Sequence, residues 1–350
     1  MNTLIEWIAD ESRLRLFMSG FSTWVLLAII ASCVALLTKG ADVMIDGAVA
    51  LARRTGLPKI VIGATIISLG TTTPEAVVSV MAAVMGNPGL ALGNGVGSII
   101  ADTGLIFGLT CILTAVPVNR YILNRTGWVQ VGSATLLVAL AVLSMAISPE
   151  GPQISRWMGF LLLALLAWYL FATYRWARCG GSRAMESEVH DPSPHEGLAR
   201  SLAMTLGGLA VVVVGARLMV PCAVEVAFRF RVPEDVIAAT LVALGTSLPE
   251  LVTAIAAVRK GHPEITVGNI VGADVLNCLF VIGAAASARP LDVPANFFTF
   301  HFPAMLVILF SFRLFIHTSH GKFRRRHGVW LLGLYLAYVA VTYALNVGSV

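Results

Sequence analysis

The stretch "SLGTTTPEAVVSV", from Ser68 to Val80, places a glycine, three threonines, a proline and a glutamate inside an otherwise apolar segment. Proline lacks a backbone donor and clashes with the preceding helical turn, and a carboxylate in hydrocarbon is costly. Backbone carbonyls freed by a proline are tolerated at membrane depth only where they line a cavity or find another partner. The stretch therefore predicts a polar site inside a membrane protein.

The whole chain has the composition of a helical membrane protein. Of its 350 residues, 57% are hydrophobic and only 12% are charged, whereas soluble domains carry about 25% charged residues. Apolar runs of about 20 residues, long enough to cross a bilayer as helices, recur along the sequence. The net charge of +5 comes from basic residues in short loops, as membrane topology requires, so no nucleic-acid partner is expected.

Hydropathy predicts ten membrane spans. They lie at about 21–50, 60–85, 91–116, 127–148, 155–175, 200–227, 235–258, 265–287, 297–317 and 328–347. The loops on one side hold 16 of the 24 Lys and Arg residues. The positive-inside rule predicts that this side, with the polar linker between the fifth and sixth spans, is cytoplasmic and that both termini lie outside.

The opening stretch returns later in the chain as "ALGTSLPELVTAI". An offset of 175 carries Glu75 to Glu250 and Pro58 to Pro233, and it also places "LGNGVGS" (92–98) on "VGNIVGA" (267–273). Because five spans separate the copies, they enter the membrane from opposite faces. Inverted repeats of this kind build secondary transporters, whose substrate sites lie at the repeat interface near the midplane and are formed by helices broken in corresponding places. The two copies of Gly-Thr-x-x-Pro-Glu predict such breaks in the second and seventh spans.

The repeat predicts an all-α polytopic membrane protein with ten transmembrane helices in two inverted five-helix halves. The first half is expected at 1–176, a short cytoplasmic linker at 177–198 and the second half at 199–350. The linker is too short to hold a folded domain. Glycines spaced four residues apart in the third and eighth spans predict close helix contacts.

Each copy of the motif offers a cluster of hard oxygen ligands. Threonines four and three residues before a glutamate share its helical face. The two clusters are Thr71, Thr72 and Glu75 in the first copy, and Thr246, Ser247 and Glu250 in the second. Two such clusters meeting near the midplane suit calcium, which takes 6–8 oxygen ligands at about 2.3–2.6 Å. They also suit sodium, another hard cation.

The third and eighth spans add a second pair of equivalent positions, Asp102 and Asn277. An intramembrane acid and an amide at mirrored sites predict a shared binding centre. Asp274 follows Ala273 and lies about 100° round the helix from that face. Two interpretations are open for Asp274: a hydrogen bond to a neighbouring span, or a place at the edge of the cavity.

With these motifs the chain resembles the sodium/calcium exchanger branch of the calcium/cation antiporter superfamily. The resemblance is close over 40–110 and 215–285, the two alpha-repeats "GATIISLGTTTPEAVVSVMAA…LGNGVGSIIADTG" and "AATLVALGTSLPELVTAIAAV…VGNIVGADVLNCL". It implies a sodium/calcium exchanger-like fold, four central sites for one calcium or three sodium ions, and a prokaryotic inner or plasma membrane location. It further implies that these ions are substrates, with no cofactor and no obligatory protein partner besides the bilayer.

The resemblance also implies roles for individual positions. The implied metal ligands are the Glu75, Glu250, Asp102 and Asn277 side chains, the hydroxyls of Thr71, Thr72, Thr246, Ser247 and Ser98, and the Ser68 and Ala243 carbonyls. Two departures from the family pattern stand out. The acid and the amide at 102 and 277 are exchanged, so the expected total of three carboxylates is kept. Ala273 replaces a second serine and removes one hydroxyl from an outer sodium site.

The expected function is export of cytoplasmic calcium in exchange for sodium entry, by an alternating-access antiporter whose first and sixth spans slide across the core. Proton/calcium exchange and potassium-assisted exchange are in-class alternatives, and a passive cation channel is an alternative of another class. An enzyme is not expected, because an intramembrane hydrolase would need a Ser–His or paired-Asp arrangement that the sequence lacks.

Overall fold

The computed structural model describes residues 17–147, 151–184, 197–230, 243–319 and 321–347, most of which are helical. The helices are α1 (Thr23–Thr55), α2 (Lys59–Val84), α3 (Pro88–Leu113), α4 (Arg120–Ile147), α5 (Arg156–Ala184), α6 (Leu198–Arg229), α7 (Ala243–Thr246 and Leu248–Arg259), α8 (Pro263–Ala288), α9 (Phe297–Thr318) and α10 (Arg325–Val347). Within these residues, all of them except α7 are long and apolar enough to cross a membrane.

Most predicted spans agree with these helices to within five residues, but α4 begins at Arg120 rather than at 127, and α5 ends at Ala184 rather than at 175. The seventh predicted span, 235–258, lies partly outside the described residues, and α7 covers its second part. Helix α5 continues to Ala184, and α6 begins at Leu198. The predicted linker at 177–198 therefore contributes its first residues to α5, and 185–196 lie outside the described residues.

Helices α1 and α6, which are 33 and 32 residues long, pack against each other through glycines. A Cβ added to Gly208 would lie 2.5 Å from Met44 N and 2.6 Å from the Gly40 carbonyl oxygen. A Cβ on Gly47 would lie 2.5 Å from Thr205 N. Glycines at such positions let two membrane helices approach until their backbones touch.

Replacement of Gly208 by alanine is expected to lower thermal stability, whereas replacement of its neighbour Gly207 is not. Gly207 is exposed, and a Cβ there has nothing within 4 Å. Both substitutions raise helix propensity by up to about 1 kcal/mol, but only Gly208→Ala forces α1 and α6 apart, at a typical cost of about 1–3 kcal/mol. Thermal unfolding of the two purified variants in detergent checks this, and equal unfolding temperatures would contradict it.

Two short antiparallel ribbons link the halves of the chain. Strand β1 (Val116–Pro117) follows α3 and pairs with β4 (Lys322–Phe323), which precedes α10. Strand β2 (Gln153–Ile154) precedes α5 and pairs with β3 (Leu291–Asp292), which follows α8. The offset of 175 carries β1 onto β3. The ribbons are therefore equivalent under the inverted repeat, and each joins a loop of one half to a loop of the other.

The helices that carry the predicted site are irregular at corresponding places. Helix α3 contains a π-helical turn at Ala101–Ile106, and α8 contains one at Asn277–Val281. A further π-helical turn at Gly63–Ile67 lies in α2, just before the repeated motif. Turns of this type are rare and frequent at functional sites. Asp102 and Asn277 lie at the start of the two equivalent turns in α3 and α8.

The expected helix break is present in the second copy of the motif, where α7 is interrupted at Ser247, but not at the proline of the first copy, "GTTTPE". Helix α2 is α-helical from Ser68 to Val84, with Pro74 inside it, and the irregular turn lies upstream. The hydroxyl of Thr73 donates to the Leu69 carbonyl at 2.6 Å, and that of Thr71 donates to the Ser68 carbonyl at 3.3 Å. Neither bond reaches the Gly70 carbonyl, the group that Pro74 leaves without its helical donor, and the helix nevertheless continues through the proline.

Of the two glycine pairs predicted to allow close packing, only the second does so, because a Cβ on Gly97 has nothing within 4 Å and one on Gly93 lies 3.8 Å from Phe297 Cζ. A Cβ on Gly272 would lie 2.6 Å from both the Ala64 carbonyl oxygen and Ser68 Oγ, and a Cβ on Gly268 would overlap the Ile60 carbonyl. Helix α8 of the second half is thereby held against the first part of α2. This contact brings the two repeats together at the level of the site.

Candidate cation-binding site

The two glutamates of the repeated motif lie in the protein interior. Glu75 is 1% exposed on α2, and Glu250 is 2% exposed on α7. Both carboxylate oxygens of Glu75 and Oε2 of Glu250 have no hydrogen-bond donor among the described residues. Buried polar atoms are normally paired, and an unpaired buried carboxylate costs free energy. The two glutamates are therefore suited to coordinate cations directly.

The hydroxyls of the motif face acids across the repeat interface. Thr71 and Thr72 of the first copy lie against the Glu250 carboxylate, and Ser247 of the second copy lies against Asp102. Among the described residues, Thr72 Oγ1 and Ser247 Oγ form no close hydrogen bond. The two copies thus contribute to one shared group of oxygens rather than to two separate sites.

Asp102 and Asn277 meet, as the inverted repeat predicts. Each is 1% exposed, and Asn277 Nδ2 donates to Asp102 Oδ2 at 3.5 Å. Oδ1 of each side chain has no donor in the described part of the chain. Asp102 lies within electrostatic range of both Glu75 and Glu250. The three acids of the predicted site therefore share one buried region.

Two asparagines outside the predicted site hold the motif backbone in place. Asn94 Nδ2 donates to the Glu75 carbonyl at 3.2 Å and to Ser79 Oγ at 2.9 Å. Its equivalent, Asn269, donates to Thr253 Oγ1 at 3.2 Å, and that hydroxyl donates to the Glu250 carbonyl at 3.0 Å.

Asn269 also links the two repeats, since its Oδ1 accepts a hydrogen bond from Thr71 at 3.4 Å. The sequence signal for both asparagines was available. Each follows a glycine in "LGNGVGS" and "VGNIVGA", at the offset of 175. They position the glutamates and the threonines.

The glycine of each motif makes room for α6. A Cβ on Gly70 would overlap Leu209 Cδ2, and a Cβ on its equivalent Gly245 would lie 2.8 Å from Val220 Cγ1. Both of these partners belong to α6. One helix therefore covers the motifs of both repeats, and a shift of α6 along its axis would change the contacts of each.

Arg217 of α6 reaches the first motif. Its Nη2 donates to the Pro74 carbonyl at 3.0 Å, next to Glu75. Arg217 also lines a cavity of about 20 Å³ together with Thr246 and Pro249, a volume that holds about one water molecule. Arg217 was not predicted as a site residue, although a basic side chain inside an apolar span is a signal of a functional site.

The remaining predicted ligands are Ser68, Ser98, Ala243 and Thr246, and each has a different environment. Ser68 is buried, and its carbonyl accepts from the Thr71 hydroxyl. Ser98 is buried on α3, and Ala273, which stands at the equivalent position in the second repeat, is buried on α8. Helix α7 begins at Ala243, of which the structure describes only the backbone. Thr246 is half-buried beside the small cavity.

Within the described residues, no three Asp, Glu, His or Cys side chains converge tightly enough to hold a metal ion by themselves. A cation here would have to combine carboxylates with hydroxyls, an amide or backbone carbonyls. Such mixed oxygen sets suit the hard cations calcium and sodium, rather than the transition metals that favour His and Cys.

The sequence profile of the family described as "Sodium/calcium exchanger protein" matches residues 25–175 and 200–344. The chain belongs to the sodium/calcium exchanger family. It is 32% identical over 315 residues to the inner membrane protein YrbG of Escherichia coli (strain K12), covering 89% of this chain and 94% of YrbG. It is 28% identical to the sodium/calcium exchanger MaX1 of Methanosarcina acetivorans, covering 88% of this chain and 95% of MaX1.

The fold agrees with a solved member of the family. The structure of the sodium–calcium exchanger NCX_Mj soaked with Na⁺ and Sr²⁺ superimposes with a TM-score of 0.76 at 27% identity, covering 91% of this chain and 99% of that chain. The ten-helix inverted repeat predicted from the offset of 175 is the fold of this family. The chain is a multi-pass membrane transporter and not an enzyme.

Proposed function

We propose that this family member is an antiporter that exports cytoplasmic calcium in exchange for sodium entry. The observation that carries the proposal is a group of buried acceptor oxygens without donors, contributed by both repeats. Among the described residues they are both oxygens of Glu75, Oε2 of Glu250, Oδ1 of Asp102 and Oδ1 of Asn277. A buried group of this composition needs cations to offset its charge.

The chemistry of the group fits both ions. Calcium takes 6–8 oxygen ligands, including mono- or bidentate carboxylates, and the hydroxyls of Thr71 and Thr72 face the same region. Three carboxylates carry three negative charges, which three sodium ions neutralise fully and one calcium ion neutralises in part. Because both ions require the same oxygens, occupancy by one excludes the other, and this mutual exclusion couples their movement.

Alternating access would come from movement of the α1–α6 pair. These helices are joined to each other by glycine contacts, and α6 lies over both motifs through Leu209 and Val220. Sliding of the pair would break the bond from Arg217 to the Pro74 carbonyl and expose the site to one side. In this proposal the termini lie outside and the 177–198 linker is cytoplasmic.

The relatives support the choice of ions. MaX1 is named a sodium/calcium exchanger, and NCX_Mj is a sodium–calcium exchanger whose structures include soaks with Na⁺ and Sr²⁺. Each aligns with about nine-tenths of this chain, so the correspondence includes both repeats rather than one motif.

Radioactive calcium uptake into proteoliposomes of the purified chain tests the proposal. Vesicles loaded with sodium and diluted into sodium-free buffer are expected to accumulate calcium, because sodium leaving the vesicle drives calcium inward. A pH gradient of either sign, without sodium, is expected to produce no accumulation. Replacement of external choline by potassium is expected to leave the uptake unchanged.

Each other outcome names a different mechanism. Accumulation driven only by the pH gradient would overturn sodium coupling in favour of proton exchange. Uptake that also requires potassium would indicate potassium-assisted exchange. Calcium equilibration with no gradient of any counter-ion would indicate a channel.

A further inference from the structure

A fourth buried carboxylate, Asp274 of α8, lies outside the proposed cage of Glu75, Glu250 and Asp102. It is 1% exposed. Its Oδ2 accepts hydrogen bonds from the hydroxyl of Thr103 on α3 and from Nε2 of Gln130 on α4. Of the two interpretations left open by the sequence, the hydrogen bond to a neighbouring span is confirmed. Asp274 also lies within electrostatic range of Asp102.

This polar cluster has no counterpart under the inverted repeat. The offset of 175 relates Asp274 to Ile99 and Thr103 to Cys278. Gln130 belongs to α4, outside both alpha-repeats. The cluster is therefore an addition to the two-fold set of ligands, and no position implied by the family resemblance falls in it.

The partners of Asp274 do not neutralise it. Thr103 and Gln130 are neutral donors, and no Lys or Arg side chain in the described part of the chain forms an ion pair with Asp274. The nearby carboxylate of Asp102 adds repulsion. An isolated ionised carboxylate inside a membrane protein is costly, so the charge of Asp274 has to be removed by protonation or offset by a bound positive charge.

Two acceptor atoms mark where that charge would bind. Asp274 Oδ1 and Gln130 Oε1 are both buried, and neither has a donor among the described residues. Gln130 is 1% exposed, so water from the bulk does not satisfy its amide oxygen. The two unpaired oxygens belong to side chains that are hydrogen-bonded to each other through Gln130 Nε2 and Asp274 Oδ2. A carboxylate oxygen and an amide oxygen held in this way can begin a coordination shell for a hard cation.

We propose that Asp274, Gln130 and Thr103 form a separate sodium site beside the cage. One carboxylate with neutral oxygen ligands balances one positive charge, which favours a monovalent ion over calcium. The site takes its own sodium ion, independent of whether the cage holds calcium or sodium. The proposal depends on the proposed function only for the identity of the neighbouring cage.

Sodium-dependent thermal stability separates this site from the cage. A ligand that binds the folded state raises the unfolding temperature in proportion to the logarithm of its concentration. The starting protein is the Glu75→Gln/Glu250→Gln variant, purified in choline chloride, with sodium replacing choline at constant ionic strength. This background is expected to lose stabilisation by calcium but to keep an increase in unfolding temperature with sodium.

Two further substitutions in that background assign the remaining sodium response. Asp274→Asn is expected to abolish it, whereas Asp102→Asn is expected to leave it. Loss with Asp102→Asn and retention with Asp274→Asn would overturn the proposal, as would the absence of any sodium response in the background. Calcium stabilisation that survives Glu75→Gln/Glu250→Gln would contradict the cage and not this site.

Gln130→Leu in the same background keeps the test decisive if Asp274→Asn does not fold. It removes the unpaired Oε1 and leaves the acid in place. The sodium concentration above which the unfolding temperature begins to rise is expected to increase severalfold, and an unchanged onset would overturn the proposal.

Discussion

Replacement of Glu75 or Glu250 by glutamine is expected to abolish sodium-driven calcium transport while leaving the protein folded. Glu75 contributes two buried oxygens without donors in the described part of the chain, and Glu250 contributes one. Glutamine keeps the shape of the side chain but removes its charge. Removal of one partner from a buried charge arrangement costs about 3–5 kcal/mol, which corresponds to a loss of at least about 100-fold. Radioactive calcium uptake into sodium-loaded proteoliposomes measures the effect.

The matched control is Glu225→Gln on α6. This substitution makes the same chemical change at a side chain that forms an ion pair with Arg229, one helical turn along and 3.0 Å away. Helix pairs of this kind contribute about 0.3–0.5 kcal/mol. Its transport is expected to stay near that of the unchanged protein. Near-normal uptake by either Glu75→Gln or Glu250→Gln would show that the paired glutamates do not form the transport site.

The fold was predictable because its main signals are local or periodic. Ten apolar runs predicted the spans, and one constant offset, which maps Glu75 onto Glu250, predicted the inverted halves. The offset also predicted that positions 102 and 277 meet, and Asn277 does donate to Asp102. A repeat with one offset relates both copies by a single pseudo-two-fold axis, so contacts near that axis follow from the sequence.

Contacts away from that axis could not be predicted from the sequence. Gln130 bonds to Asp274 across 144 residues of sequence, and no symmetry or spacing relates α4 to α8. Arg217 likewise reaches the Pro74 carbonyl across 143 residues. Such contacts depend on the rotation and depth of each helix, which packing sets and hydropathy does not specify.

The sequence pattern also did not predict the local conformation of α2. Pro74 predicted an interruption, yet α2 is α-helical from Ser68 to Val84 and the π-helical turn at Gly63–Ile67 lies upstream. Proline predicts the loss of one hydrogen bond, but it does not decide whether the helix ends there. The ligand roles of individual residues, the domain boundaries and the sidedness of the termini stay predictions.

The exchanged pair at 102 and 277 leads to the second large expected effect. Asp102→Asn removes one of three carboxylates from the cage and is expected to lower calcium transport by on the order of tenfold or more, since an uncompensated change in buried charge costs several kcal/mol. Asn277→Asp instead adds an acid beside Asp102 and is expected to impair transport less. Initial rates of sodium-driven calcium uptake compare the two variants.

The double variant Asp102→Asn/Asn277→Asp decides whether the pair acts as one unit. The two side chains are adjacent, with Asn277 Nδ2 donating to Asp102 Oδ2 at 3.5 Å, and they occupy equivalent π-helical turns on α3 and α8. Exchange of the acid and the amide therefore keeps the bond and the total charge and moves the carboxylate only across the pseudo-two-fold axis.

Transport by the double variant is expected to recover most of the activity lost in Asp102→Asn. Contacting residues are non-additive in this way when they share one interaction. A double variant no better than Asp102→Asn would mean that the acid is required on α3 itself, where Ser247 faces it. A larger loss in Asn277→Asp than in Asp102→Asn would place the third essential group of the cage on α8 instead, because the amide and not the acid would then be the side chain that transport requires.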